Sequence, residues 1–181
     1  MSKPAVQPPN EGNKHWVFAY GSLIHKIDFP FLQREVASLR GWTRRFWQGS
    51  HDHRGTPEAP GRVLTLIPDQ DQLCRGVAYL IEEEVFAHLD YREKNGYARV
   101  FESIFLEESS RTVNATVYVA DQENPAFLGD AEPEELAQHI ATAQGPSGLN
   151  RDYLLDLARA LKEIGERDAH VEELANLVRG L

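Results

Sequence analysis

Between His15 and Val119 the chain is built from short runs of β-branched and aromatic residues separated by turn formers, and from Pro133 onward its apolar positions recur every three or four residues. The first pattern predicts strands, the second helices. Residues 16–20 (Trp-Val-Phe-Ala-Tyr) read as a buried strand stopped by Gly21-Ser22. Residues 62–67 read as a strand ended by Pro68, residues 73–81 as another, and residues 98–106 as a third. Val113, Ala115, Val117 and Val119 alternate with Asn114, Thr116 and Tyr118, which predicts one buried and one polar face. Helices are expected over 133–143, from about 150 to 164 on Leu154, Leu157, Leu161 and Ile164, and over roughly 169–178. Strands first and helices last argue for an α+β fold. The Gly145-Pro146-Ser147-Gly148 link is too short to separate domains, and residues 1–14, with Pro4, Pro8 and Pro9, read as a flexible leader before a single domain over 15–181.

One segment interrupts the strands. In residues 85–97 Phe86, Leu89 and Glu93 follow the spacing of one helical stripe, and Asn95-Gly96 supplies a stop able to take left-handed angles. A carboxylate therefore faces the core side at the end of a helix, while Asp90, Arg92 and Lys94 fall away from the stripe. Burial and the negative end of the helix dipole both disfavour its ionised form and raise its pKa, which suits general acid-base work. The competing reading is a solvated Glu paired with Arg92 or Lys94.

Two further features suggest a ligand. At Tyr20-Gly21-Ser22 the missing Cβ lets backbone approach closely, and successive amides leaving a strand form an anion-binding concavity; an ordinary strand-ending turn is the alternative. Across residues 38–55, Arg40, Arg44, Arg45 and Arg54 surround Trp42, Phe46 and Trp47, with Asp52 alone opposing them. That patch suits a small acidic ligand, or is a set of solvated arginines flanking a packed strand. His51 and His53 offer at most two ligands, so no metal site is expected, and a loop held by local hydrogen bonds is.

A formal net charge of −9 over 181 residues argues against nucleic-acid and anionic-membrane binding. No apolar run reaches membrane-spanning length and no secretory signal is recognisable. Cys74 is the single cysteine, reads as a buried thiol rather than a nucleophile, and fits a reducing, cytoplasmic setting.

The residues now reach a family. The blocks Phe18-Ala19-Tyr20-Gly21-Ser22-Leu23-Ile24, Arg44-Arg45-Phe46-Trp47-Gln48-Gly49-Ser50-His51-Asp52-His53-Arg54-Gly55, Pro60-Gly61-Arg62-Val63, Gly76-Val77-Ala78-Tyr79 and Leu89-Asp90-Tyr91-Arg92-Glu93-Lys94-Asn95-Gly96-Tyr97 stand in this order. Tyr118, Asn124-Pro125, Leu128-Gly129 and Gly145-Pro146-Ser147-Gly148 follow. The series resembles the ChaC family of glutathione-specific γ-glutamylcyclotransferases over about residues 15–164. The resemblance implies a compact α+β fold with a mixed β-barrel and surrounding helices, no cofactor, and cleavage of glutathione into 5-oxoproline and Cys-Gly. It implies Glu93 as catalytic residue and Val17, Phe18, Ala19, Tyr20, Gly21, Ser22 and Leu23 as the substrate loop, with Tyr118 as a further contact. Arg44, Arg45 and Arg54 have two open roles: binding the glycine carboxylate of the substrate or organising the loop. Ala19 replaces the family's usual Gly, His25 its common Trp, and Lys94-Asn95-Gly96 its common Lys-Gly-Gly. Two alternatives share these motifs: a cyclotransferase for other γ-glutamyl amino acids or amines, and a catalytically silent γ-glutamyl binder.

Overall fold

The computed structural model describes residues 12–181, so the leader expected over residues 1–14 lies mostly outside the described residues. Five strands, β1 (Lys14–Ala19), β2 (Gln33–Ser50), β3 (Gly61–Glu82), β4 (Tyr97–Leu106) and β5 (Arg111–Ala120), follow the order β1-β3-β2-β4-β5 and close into a barrel. The barrel is mixed. β1 runs antiparallel to β3, from Lys14 opposite Glu82 to Ala19 opposite Val77, and parallel to β5, with Trp16 opposite Ala115. Helix α1 (Val85–Arg92) joins β3 to β4. After β5 come α2 (Pro133–Thr142), a small hairpin of β6 (Gln144–Gly145) and β7 (Gly148–Leu149), α3 (Asn150–Glu163) and α4 (Ala169–Arg179). The α+β barrel with helices is thus the one anticipated.

Two expectations need correction. Residues 62–81 were expected as two strands broken at Pro68, yet β3 is one strand of 22 residues that passes through it. Pro68 is exposed, as are residues 70–73. At such a position a missing backbone N–H costs the ladder little. The polar face expected on β5 is also covered. Thr116 and Tyr118 are as buried as Val117 and Val119, and the Tyr118 hydroxyl donates to Asp90 of α1.

The described chain falls into two compact units, each made of two segments: residues up to Thr43 with Pro68–Val119, and Arg44–Ile67 with Ala120–Leu181. In the first, Trp16, Phe18, Val77, Tyr79, Ile81, Leu89, Ile104 and Leu106 are buried together with Ala115 and Val117. In the second, α2, α3 and α4 pack on one another through the apolar positions their spacing predicts, among them Leu136, Ile140, Leu154, Leu157, Leu161, Leu174 and Val178.

The second unit also buries cations. Arg44 is 1% exposed and pairs with Asp168 at 3.3 Å. Asp168 is the N-cap of α4 and accepts from the Val171 amide at 3.1 Å. The Arg62 guanidinium donates to the carbonyls of Phe46 and Gly129 and to Nδ1 of His139, so three neutral acceptors offset its burial. Arg54 donates to the Leu149 carbonyl at 3.0 Å and lies over the ring of Tyr153. Asn150, fully buried, completes the local ladder by accepting from the amide of Arg62 and donating to its carbonyl, both at 2.8 Å.

His170 follows Asp168 by two residues. Its Nε2 accepts from the Phe46 amide at 3.0 Å, and burial, then the nearby Arg45 charge, lower its pKa from 6.5 to about 4. The unfolded chain therefore binds this proton more readily than the folded one between those values, so stability is lost as pH falls through that window. The loss approaches about 3 kcal/mol for a shift of this size. Urea denaturation at pH 7 and pH 4.5 should show it, and His170→Gln should flatten that part of the profile. An unchanged profile in the variant would assign the pH dependence elsewhere.

Candidate functional site

Of the residues singled out in the sequence, Val17 to Leu23, Glu93 and Tyr118 belong to one unit, and Arg44 and Arg54 to the other. Within the first unit, β1 ends at Ala19 and the chain bends at Tyr20-Gly21 into a short 3-10 turn over Ser22–Ile24. The side chains of Val17, Phe18 and Ala19 are fully packed in the core, so these residues anchor the bend rather than face it. Gly76 on β3 lets the Ala19 carbonyl come close. A Cβ built there would stand 2.2 Å from that oxygen.

Buried phenols hold the bend. The Tyr20 hydroxyl donates to the Tyr118 carbonyl at 2.6 Å, and the Tyr79 hydroxyl donates to the carbonyls of Leu23 and Ile24 at 3.0 and 3.3 Å. Inside the turn, the amide of Ile24 is bonded to the Gly21 carbonyl and those of His25 and Lys26 to the Ser22 carbonyl. The carbonyl oxygens from Gly21 to Ile24 are therefore occupied. A carboxylate or an oxyanion is the kind of ligand group that backbone amides at a strand-ending bend suit.

Helix α1 is two turns long. Val85, Phe86 and Leu89 form its buried face, as the spacing predicts, and Glu93 is its C-cap, with its amide bonded to the Leu89 carbonyl at 2.9 Å. Gly96 takes φ +97° and turns the chain into β4, a conformation glycine adopts without steric cost. The Glu93 side chain is 16% exposed, so it is neither surface-solvated nor sealed.

Arg92 does not fall away into water as its position off the apolar stripe suggests. Its side chain is also 16% exposed, and its guanidinium donates to Ser22 Oγ at 3.2 Å, the Lys26 carbonyl at 3.0 Å and Asp28 Oδ1 at 2.7 Å. Its Nε stands 3.9 Å from Glu93 Oε1. One side chain thus connects the bend to the carboxyl group. The sequence signal was the adjacency of the two residues, which entered only the competing reading of a solvated Glu93 paired with Arg92 or Lys94.

Tyr118 is set by a second polar group of α1. Its hydroxyl donates to Asp90 Oδ1 at 2.7 Å, and Asp90 is in turn paired with Arg99 of β4. Hydrogen bonding from Arg99 holds the Asp90 carboxyl below the usual range against its partial burial. Burial first, and then the bond to Asp90, push the Tyr118 hydroxyl well above the ordinary tyrosine range. Tyr118 is therefore a neutral hydroxyl at any physiological pH and cannot serve as a base. Asp90 and Tyr79 stand within the blocks that carry the resemblance but were given no role at the site, and Arg99 lies outside those blocks.

In the second unit, the loop at His51-Asp52-His53 has a local bond from the Arg54 amide to Ser50 Oγ, but it is also held by a segment distant in sequence, with His53 Nδ1 at 3.0 Å from Ser147 Oγ and the Ser147 amide donating to the His53 carbonyl. Neither Arg44 nor Arg54 is a solvated arginine beside a strand; both are buried and engaged as described above.

Residues 15–181 match the family model of ChaC-like proteins. The chain is 42% identical over 175 residues to γ-glutamylcyclotransferase 2-3 of Arabidopsis thaliana, covering 91% of this chain and 88% of that protein. It is 37% identical over 185 residues to the human glutathione-specific γ-glutamylcyclotransferase 1, covering 97% and 83%. The crystal structure of the yeast γ-glutamyl cyclotransferase specific to glutathione superposes with a TM-score of 0.87 at 31% identity, over 93% of this chain and 96% of that one.

Proposed function

Because this chain belongs to the family of ChaC-like proteins, we propose that it is a glutathione-specific γ-glutamylcyclotransferase in which Glu93 carries the proton. The α-amine of the substrate attacks its own γ-carbonyl carbon. A C–N bond forms and closes the five-membered lactam, and the C–N bond to the cysteinyl nitrogen breaks, giving 5-oxoproline and Cys-Gly. No water is consumed, and the nucleophile comes from the substrate.

The protein has four tasks: to fold the substrate, take a proton from its ammonium, stabilise the carbonyl oxygen as charge builds on it, and return a proton to the leaving nitrogen. Glu93 performs both proton steps. The amides of the Tyr20-Gly21-Ser22 bend hold the γ-glutamyl carboxylate or the developing oxyanion, with Val17 to Leu23 shaping that bend and the neutral Tyr118 hydroxyl as a further contact. The observation that carries this reading is the part-buried Glu93 carboxyl, joined through one guanidinium to Ser22 of the bend. Of the two roles left open for Arg44 and Arg54, their engagement with Asp168 and the Leu149 carbonyl supports the organising one.

No helix among the described residues is long and apolar enough to cross a membrane. A cytoplasmic setting is part of the proposal, supported by a cysteine content that allows no internal disulfide.

The test is a comparison of glutathione with γ-glutamyl-alanine. Glutathione should yield 5-oxoproline and Cys-Gly in equal amounts and be preferred in kcat/KM. Equal or greater kcat/KM on the dipeptide would assign the chain to broader γ-glutamyl substrates. Absence of 5-oxoproline from both would make it a silent binder.

A further inference from the structure

The geometry assigns Arg92 as a positioning residue that fixes the distance between the substrate bend and the Glu93 carboxyl. This rests on Glu93 as proton carrier. The fork of a guanidinium presents five donors in fixed directions, and Arg92 uses them on three acceptors spread over Ser22, Lys26 and Asp28 while its Nε stands beside Glu93. Asp28 is itself held by this contact. It also lies 3.2 Å from His88 Nε2, one turn before Arg92 on α1, so the far end of the bend is clasped from the same helix that ends in Glu93.

Tyr79 holds the same bend from a different direction, through the carbonyls of Leu23 and Ile24. No bond described for Tyr79 reaches Glu93. The two residues should therefore divide the kinetic constants. Tyr79 serves the shape of the bend, and so binding; Arg92 serves the placement of a bound substrate against the carboxyl, and so turnover. Misplacement of reacting groups by about 1 Å costs about 100-fold in rate.

Steady-state kinetics with glutathione on Arg92→Lys and Tyr79→Phe tests this. Lysine keeps the positive charge but concentrates its donors on one nitrogen, which cannot span the three acceptors. Its kcat should fall about 100-fold with KM within about threefold of the parent. Tyr79→Phe should raise KM about tenfold with the smaller change in kcat. Melting curves establish that each variant folds. If Arg92→Lys does not fold, Ser22→Ala removes a single arm of the fork and should give the same kcat-dominated split at smaller size. A kcat for Arg92→Lys close to the parent, or the same split in both variants, overturns the positioning role. Glu93→Gln run alongside separates the two ideas: if it is inert while Arg92→Lys turns over normally, the positioning role alone fails, and if it is active, the proton-carrier reading fails first.

Discussion

Glu93→Gln is expected to lose about three orders of magnitude in kcat while still binding glutathione. The carboxamide keeps the volume of the side chain and its place at the C-cap of α1, so the backbone bond from residue 93 to Leu89 is unaffected. What it removes is the ability to accept a proton from the ammonium and return it to the leaving nitrogen. No other carboxyl in the described site is equally suited. Asp90 is engaged by Tyr118 and Arg99 and is held below the usual carboxylate range. Tyr118 is pushed in the opposite direction and keeps its proton. Calorimetric titration of the variant measures true affinity because the substrate survives, and a 5-oxoproline assay measures turnover. A variant that still turns over at near-parental rate would remove Glu93 from the mechanism.

Asp168→Ala should be the most destabilising single change among the polar residues described. It removes the carboxylate whose Oδ2 pairs with the buried Arg44 and whose Oδ1 caps the N-terminus of α4. Breaking a buried pair from one side costs about 3–5 kcal/mol, and loss of an N-cap adds about 1 kcal/mol. Asp168 is partly exposed, which places the pair term near the lower end, for a total of about 4 kcal/mol. Asp168→Asn keeps a capping oxygen and loses the charge, so it should recover the cap term only. Urea melts of the three proteins check the order. If the alanine variant lies within about 1 kcal/mol of the parent, the Arg44–Asp168 pair contributes little to folding.

The sequence made some of this legible for identifiable reasons. Phe86, Leu89 and Glu93 share a helical stripe, and that periodicity survives folding because the helix is short and its apolar face has only one way to be buried. The helices after Pro133 were readable for the same reason, with proline at the first turn of α2 and apolar residues recurring through α3. β3 was misread because a proline was taken as a stop, whereas an exposed proline interrupts no buried ladder. Arg92 was misplaced by the same reasoning that found Glu93. A helical wheel sorts residues by direction from one axis, but a long side chain at the last turn can reach a neighbouring segment. The acceptors it meets, Ser22, Lys26 and Asp28, are more than sixty positions away. The partners of Arg44 and Arg54 are as distant in sequence, so composition could mark the cluster as basic and could not tell solvated arginines from buried ones.

The division of the chain has a consequence for anyone wishing to shorten or split its gene. Each compact unit takes one segment from the amino-terminal half and one from later, and β2 and β3 are single strands with one end in either unit. Loss of residues 120–181 therefore leaves Arg44–Ile67 without the segment it packs with, and loss of residues up to Thr43 does the same to Pro68–Val119, so either shortened chain keeps one unit and carries an orphaned segment of the other.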